Sequence, residues 1–371
     1  MKILFFVGSM NAGGAERVAA ELANAWAQRG DQVCLVPTFL GTTDSFYDLD
    51  SQVQFRPLSQ QVGWFPPGLT PLRKWRAIRK IYKDFQPDVV VSFLTNVNVN
   101  VLVALKGMAT PVLVCERTNP VFSQSADKRL KKLRSKLYPR AARVVLQTED
   151  AAEAFAKLEP QLGAMAVVPN PIAADLAQLP LAAEVEKTEA CQLVAMGRLV
   201  PAKQFEQLIQ AFAMVAEQHP EWTLHIYGEG PERAKLEQRA ELAGLEDRVF
   251  LPGKTTTPWQ SLAQAQLFAL TSAYEGFPNV LLEAMTLGLP CVTVDCPSGP
   301  KELSANGHDA VLVPLDDPAA LEQALSELMA DSRLRGLLGQ RAAVSVRERF
   351  GMEQVLEQWD QIFEQAGVKV Q

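Results

Sequence analysis

The sequence predicts an α/β protein of two doubly wound domains, and three observations predict it. Its strand-sized apolar runs, such as Ile3–Val7 and Val89–Phe93, are continuous rather than alternating, which is how parallel strands covered by helices on both faces read. Segments of helical period separate these runs, giving a repeated strand-then-helix order. That order stops around Val167–Ile172 and restarts at Cys191, and the chain of 371 residues is roughly twice a usual domain length.

The elements follow in order. Ile3–Val7 reads as a buried first strand. A short signal peptide is the competing reading, but no small-residue cleavage site follows, and Asn11-Ala12-Gly13-Gly14-Ala15-Glu16-Arg17 comes at once. A helix is expected from about Glu16 to Arg29, with Val18, Leu22 and Trp26 on one face and Gly30 ending it. Val33–Pro37, Asp88–Phe93 and Pro111–Cys115 are the next strands. Beyond a hinge at Pro169–Pro171, a Leu/Ala/Glu-rich connection leads to Cys191. There follow strand Gln192–Met196, helix Phe205–His219, strand Trp222–Tyr227, helix Pro231–Ala243 and strand Val249–Leu251. Leu267–Leu270, Pro290–Val294 and Ala310–Val313 continue the series as short strands. A helix around Met352–Gln365, apolar through Val355, Trp359, Ile362 and Phe363, either finishes the second domain or crosses back onto the first. The expected divisions are 1–168, 169–350 and 351–371. Ligands of doubly wound sheets sit at the carboxyl ends of strands, so two facing domains are expected to hold their site in the cleft between them.

Composition narrows the class. Hydrophobic residues make up 48% and charged residues 21%, a globular balance rather than a disordered one. No apolar run approaches the roughly 18 residues of a membrane span; the best one is broken by Asn96, Asn98 and Asn100. Five scattered cysteines and three histidines show neither a disulfide framework nor a zinc spacing, so a reducing cytoplasmic compartment and no metal are expected. The net charge of −6 is uneven: residues 1–171 carry 21 basic and 14 acidic side chains, and the remainder 15 and 28. The first half therefore faces something anionic.

Several segments carry chemistry. Gly8-Ser9-Met10-Asn11-Ala12-Gly13-Gly14 joins a strand to a helix, where backbone N–H groups suit a phosphate or a sugar hydroxyl. It lacks the dinucleotide spacing, and a plain tight turn explains its glycines equally well. In Gly197-Arg198-Leu199-Val200-Pro201-Ala202-Lys203, two cations five apart follow a strand end. They can clamp both phosphates of a nucleoside diphosphate, Arg198 with its fork and Lys203 as a point charge, or form a solvated turn. Gly228 and Gly230 in Tyr227-Gly228-Glu229-Gly230-Pro231 permit a ligand to approach the backbone closely. Ser272 to Ala284 places Glu275 after a strand and Glu283 eight residues on, within a helix starting near Pro278. Two such carboxylates can meet one ligand, although an acid in a first helical turn is also favourable for its own sake.

Together these segments resemble the retaining glycosyltransferases of family four, which have the GT-B fold. The resemblance rests on Gly13-Gly14-Ala15-Glu16-Arg17, Asn170-Pro171, Gly197-Arg198-Leu199 with Lys203, Gly228-Glu229-Gly230-Pro231 and the Glu275-to-Glu283 pair, in that order. It spans nearly the whole chain. It implies that Arg198 and Lys203 bind the donor diphosphate and Glu283 the ribose. Glu275 would lie beside the donor sugar, with backbone of Gly276, Phe277, Pro278, Asn279 and Val280 holding hydroxyls and phosphate. Gly13 and Gly14 would face the reacting centre. Many members carry a His where this chain has Cys115-Glu116-Arg117. That variant, with Ser45-Phe46-Tyr47, resembles the subgroup building surface polysaccharides and lipid-linked oligosaccharides, including the PglH-type GalNAc transferases. Glu116 and Arg117 are then acceptor contacts.

Residues 128–143 hold eight basic side chains and no acid, with Leu130, Leu133 and Leu137 along one face of an expected helix. An anionic surface explains this better than a solvated helix, which mixes signs. Arg73, Lys74, Arg76, Arg79 and Lys80 form a second basic helix. The family implies a polyprenyl-diphosphate acceptor at an inner leaflet, with Lys128, Arg129 and Lys132 among its contacts. Nucleic acid is disfavoured, because no aromatic base platform accompanies the charge. Asp48-Leu49-Asp50 spells a metal-binding triplet but falls in a polar loop, and no cofactor is implied. The expectation is a cytoplasmic, peripherally membrane-bound enzyme moving a sugar from a UDP-sugar to a lipid-linked glycan. A sugar-nucleotide epimerase or a non-catalytic binding protein are the rivals.

Overall fold

The computed structural model describes residues 1–61, 70–122, 126–162, 165–185 and 191–370; residues 186–190 of the connection before Cys191 lie outside them. It divides into two compact units, one formed by Met1–Pro171 with Met352–Gln371, the other by Ile172–Gly351.

The first unit is built on a seven-stranded, wholly parallel sheet. Its strands are β1 (Lys2–Val7), β2 (Gln32–Pro37), β3 (Gln54–Phe55), β4 (Val89–Phe93), β5 (Val112–Cys115), β6 (Arg143–Leu146) and β7 (Met165–Val167), in the order β3-β2-β1-β4-β5-β6-β7. Phe5 pairs with Leu35 on one side and Val91 on the other. Both faces of β1 are buried: Phe5 lies in one core and Phe6 in another. That double burial is why the strand reads as an unbroken apolar run.

The helix Gly14–Gln28 covers the first of these faces through Val18, Leu22 and Trp26. The helix Met352–Gln365 lies beside it. Trp359 meets Trp26 edge-on with centroids 5.6 Å apart, and Phe363 lies 5.9 Å from the same ring. Arg29 forms a forked pair with Asp360, at 2.7 and 2.8 Å.

The asparagines that break the apolar run of β4, Asn96, Asn98 and Asn100, lie in a helix, Thr95–Ala104. Its asparagines are accommodated by bonding: buried Asn98 donates to the Cys115 carbonyl at 3.0 Å and to the Tyr138 hydroxyl at 2.9 Å. In the basic segment the helix carrying Leu130, Leu133 and Leu137 spans Lys128–Leu137, capped by Asp127, whose carboxylate accepts from Leu130 N at 2.7 Å. Pro139 falls in the single turn Tyr138–Arg140, where an α-helix would lose a donor and clash, and Arg143 opens β6.

The second unit has a six-stranded parallel sheet. Its strands are β8 (Cys191–Met196), β9 (Trp222–Tyr227), β10 (Val249–Gly253), β11 (Leu267–Leu270), β12 (Cys291–Val294) and β13 (Val311–Val313), ordered β10-β9-β8-β11-β12-β13. Helices Phe205–Ala216 and Pro318–Ala330 contribute to one core, and Asn279–Thr286 with Ser332–Phe350 to the other. In both sheets the strand order reverses once, between β1 and β4 and between β8 and β11. The loops leaving those four strands are where a doubly wound fold opens a crevice.

Candidate active site

At the β8/β11 reversal the loops carry three of the charged groups singled out from sequence, Arg198, Lys203 and Glu275. The turn after β8 ends in Lys203, and the loop after β11 carries Ser272 and Glu275. Lys203 Nζ lies 2.6 Å from Glu275 Oε1, and the Ser272 hydroxyl donates to the same oxygen at 2.6 Å. The loops are sewn together by Ala273 N donating to the Ala202 carbonyl at 2.8 Å and by the Thr271 hydroxyl donating to the Lys203 carbonyl at 3.0 Å. Arg198 is exposed on the turn after β8, with no ion pair or side-chain hydrogen bond among the described residues. Two cations and one carboxylate thus stand on adjoining loops, with one cation committed to the carboxylate and the other open to solvent.

Gly228 and Gly230 have a different partner from the one expected. A Cβ on Gly228, whose φ is +148°, would fall on the Gly197 carbonyl oxygen, and one on Gly230 would fall on that of Leu199. The backbone they let close is the chain's own: Leu199 N donates to the Glu229 carbonyl and Gly197 N to that of Tyr227, both at 2.9 Å. Their absent side chains fix the height of the Arg198 turn above the sheet.

The segment after Glu275 is similarly supported. Glu275 N donates to the Pro297 carbonyl at 2.7 Å, and the Ser298 hydroxyl donates to the Gly276 carbonyl at 3.3 Å. Phe277 turns inward to meet Phe350 with centroids 5.7 Å apart, and Pro278 is buried with it. Asn279 opens the helix Asn279–Thr286, Val280 is half-buried, and Glu283 is buried on that helix.

At the β1/β4 reversal the first unit has a pocket of about 310 Å3 lined by Gly8, Ser9, Asn11, Glu16, Thr38, Phe39, Leu58, Lys74, Ile78, Leu94, Asn96 and Asn100. Gly13 precedes and Gly14 begins the helix Gly14–Gln28. The Tyr47 hydroxyl clasps that turn, receiving from Gly13 N at 3.0 Å and donating to its carbonyl at 2.9 Å. Glu116 and Arg117, placed as acceptor contacts by the resemblance, are buried within this unit. The Glu116 carboxylate receives the Thr95 hydroxyl at 2.9 and 2.8 Å and the Tyr138 hydroxyl as well. Burial raises its pKa above the usual carboxylate value, against the lowering effect of those bonds. Arg117 bonds Asn170 and lies over the Phe93 ring at 4.3 Å; burial pushes its pKa down to about 10.

Lys128, Arg129 and Lys132 are exposed. Arg134, from the same basic run, points inward to an ion pair with Glu159 at 3.3 Å and takes no part in the exposed face. Sequence reasoning passed over three contributors: Ser272, Thr95 and the pocket-lining Asn96. A serine in a loop, or a threonine or an asparagine in the first turn of a helix, is ordinary in composition, and only tertiary contact reveals what it touches.

Residues 13–171 match the glycosyl transferase 4-like domain, and residues 182–344 match glycosyl transferases group 1. An undecaprenol-linked-glycan alpha-1,4-N-acetyl-D-galactosaminyltransferase of Campylobacter jejuni is 28% identical over 365 residues, covering 97% of both chains. An exopolysaccharide phosphotransferase of Streptomyces coelicolor is 39% identical over 172 residues, which is 46% of this chain and 18% of that one. The match therefore spans less than a fifth of that relative. Among solved structures, an S. aureus TarM variant crystallised with fondaparinux, alpha-GlcNAc-glycerol and UDP superposes with a TM-score of 0.81 at 14% identity, covering 98% of this chain and all of the other. Similarity at that identity establishes the fold, which is GT-B.

Proposed function

The chain belongs to the glycosyltransferases, 4-like in its first half and group 1 in its second, and we propose that it extends a polyprenyl-diphosphate-linked glycan. The sugar, a hexose or N-acetylhexosamine, comes from a UDP-sugar and keeps its anomeric configuration. One observation carries this reading: Lys203, Glu275 and Ser272 converge at the β8/β11 reversal beside an exposed Arg198.

Each group has a role that its geometry suits. The Arg198 fork and the Lys203 ammonium meet the charge that grows on the leaving diphosphate as the bond from sugar C1 to phosphate breaks. Lys203 and Ser272 both bond Oε1 of Glu275, leaving Oε2 to accept a hydroxyl of the donor sugar. Gly228 and Gly230 hold the Arg198 turn in place, Glu283 binds the ribose, and backbone from Gly276 to Val280 binds sugar and phosphate. The acceptor oxygen forms the new bond to C1 as the bond from C1 to the phosphate oxygen breaks, and the acceptor's proton passes to that departing diphosphate oxygen. No covalent nucleophile is assigned. The alpha linkage in the Campylobacter relative's name supports retention, because nucleotide-sugars of that class are themselves α-linked.

The acceptor belongs to the first unit, where Gly13 and Gly14 form the turn after β1. Exposed Lys128, Arg129, Lys132 and Lys136, with Arg76 and Lys80, suit an anionic inner-leaflet surface. Among the described residues no helix is long and apolar enough to cross a membrane, so attachment is proposed to be peripheral. The test is thermal stabilisation by UDP, GDP and ADP in the wild type and in Arg198→Ala with Lys203→Ala. A nucleotide at a hundred times its Kd adds about 2.7 kcal/mol. Stabilisation by UDP, lost in the double variant, is the expected result. A shift with GDP alone refutes the donor assignment, and no shift with any nucleotide refutes the site.

A further inference from the structure

The 19-residue helix Ser332–Phe350 has two unlike faces. Leu338, Ala342, Val346 and Phe350 turn into the second unit and are buried. On the opposite side Leu334, Leu337 and Val344 are 40%, 59% and 55% exposed. Single exposed leucines are ordinary on a surface, but these are not scattered. Leu334, Leu337, Arg341 and Val344 step along the helix by three, four and three residues, the spacing of a seam between two helices. At about 100° per residue they lie within roughly 80° of arc, with the buried residues on the far side.

Two exposed charges of this helix are set against its own dipole. Arg333 lies in the first turn, at the positive end, and Glu348 in the last, at the negative end, where each sign is unfavourable. Both are exposed, with no ion pair or side-chain hydrogen bond among the described residues. The other arginines have partners within the unit. Arg335 donates to the Leu328 and Met329 carbonyls, Arg347 to that of Thr286, and Arg349 to those of Glu302 and Leu303. Arg341, on the seam, faces buried Asp309 at 3.7 Å, so its charge is offset within its own chain.

A second copy of the same helix, laid antiparallel, answers both features. With the two-fold axis near Gln340, Leu334 and Leu337 of one copy pack on Val344 of the other, and each contact occurs twice. Arg333 then lies beside Glu348 and the negative end of the opposite helix, and Glu348 beside Arg333 and the positive end. A parallel pair would instead set Arg341 against Arg341 and Glu348 against Glu348.

We propose that the chain forms a two-fold homodimer through the outer faces of Ser332–Phe350. The helix is about 28 Å long, so this seam alone buries less than the roughly 1,600 Å2 of a standard interface. The dimer is accordingly a weak one, with Kd on the order of 10–100 µM. The proposal does not rest on the donor or the acceptor reading.

Sedimentation equilibrium of the full chain, across concentrations spanning that Kd, is the test. The mass is expected to rise from that of one chain towards that of two. Leu337→Gln with Val344→Gln removes apolar contacts made twice and should weaken association by about a hundredfold. Both positions are exposed and glutamine suits a helix, so an unchanged circular dichroism spectrum reports the fold. Arg333→Glu should weaken association roughly fivefold, although it suits the start of its own helix and so cannot act by loosening the fold. Adding Glu348→Arg remakes the pair with its signs reversed and should recover part of that loss. A chain that stays monomeric throughout overturns the proposal, as does a dimer indifferent to the paired glutamines, and an exchange that recovers nothing overturns the antiparallel pairing. Binding to vesicles of phosphatidylethanolamine and phosphatidylglycerol is measured alongside. If the glutamines reduce it while the chain in solution is always single, the face meets lipid and not a second copy.

Discussion

The two sheet reversals are built on the same plan and furnished differently. Each has a glycine-bearing turn after one central strand and a second loop after its neighbour. In the second unit the glycines press backbone on backbone, and charged side chains converge above them. In the first unit the glycine turn is clasped by the Tyr47 hydroxyl, and the lining is amide, hydroxyl and apolar with one acid, Glu16, and one base, Lys74. One topology thus carries a charged cluster at one reversal and a mixed polar and apolar pocket at the other. The chemistry of each lies in the residues the loops carry, and the overall charge of a unit is a poor guide to it. The half with the excess of acids holds the proposed phosphate cations.

The sharpest contrast lies in the glycines themselves. Gly228→Ala is expected to destabilise the second unit by upwards of about 4 kcal/mol, because the added carbon meets backbone that cannot yield and φ is +148°. Gly8→Ala should cost within about 1 kcal/mol, since its carbon meets only Leu94 Cδ1, at 3.3 Å. Chemical denaturation of the two variants would show this, and equal losses would break the contrast.

Next in size, Arg198→Ala or Lys203→Ala should lower kcat on the order of a hundredfold or more, as removal of a charge stabiliser does. Near-normal turnover in either would remove that residue from the site. Ser272→Ala should have a smaller effect, roughly tenfold in kcat/KM for the donor, because Glu275 keeps Lys203 as a partner. An unchanged donor kcat/KM would show that Lys203 alone orients the carboxylate.

The smallest effect concerns Glu116. Its pKa is raised in the folded protein, so the neutral form is favoured there. Its contribution to stability is complete below the ordinary carboxylate value and is lost as pH rises through the raised one. Glu116→Gln should therefore flatten the pH dependence of the first unit's stability over that interval. An unaltered profile would mean that the carboxyl titrates as an ordinary one.

Much of this fold is legible in sequence because burial on both faces of a parallel sheet leaves a plain trace. Leu267–Leu270, buried throughout, is a strand with the bounds its apolar run suggests. The helix Thr95–Ala104 went unread because Asn96, Asn98 and Asn100 interrupt its apolar pattern, and Asn98 is satisfied only by the Cys115 carbonyl and the Tyr138 hydroxyl. Those partners are 17 and 40 residues away in sequence, beyond the reach of any local pattern. The same distance hid the burial of Glu116, Arg117 and Arg134. The Lys203–Glu275 pairing spans 72 residues. It came within view only because both residues sit in motifs that family resemblance had already brought together.

The docking of Met352–Gln365 against Trp26 has a consequence for the order in which the protein is made. The second unit is one uninterrupted stretch, Ile172–Gly351, whereas the first is split around it. On the ribosome, Trp26 is synthesised long before Trp359, and the intervening unit can fold as soon as its own chain has emerged. The first unit must meanwhile wait with its helix Gly14–Gln28 uncovered on one side. A released chain ending at Gly351 would carry a complete second unit and a first unit with its Trp26 face open, and that exposed aromatic surface is what a chaperone would hold.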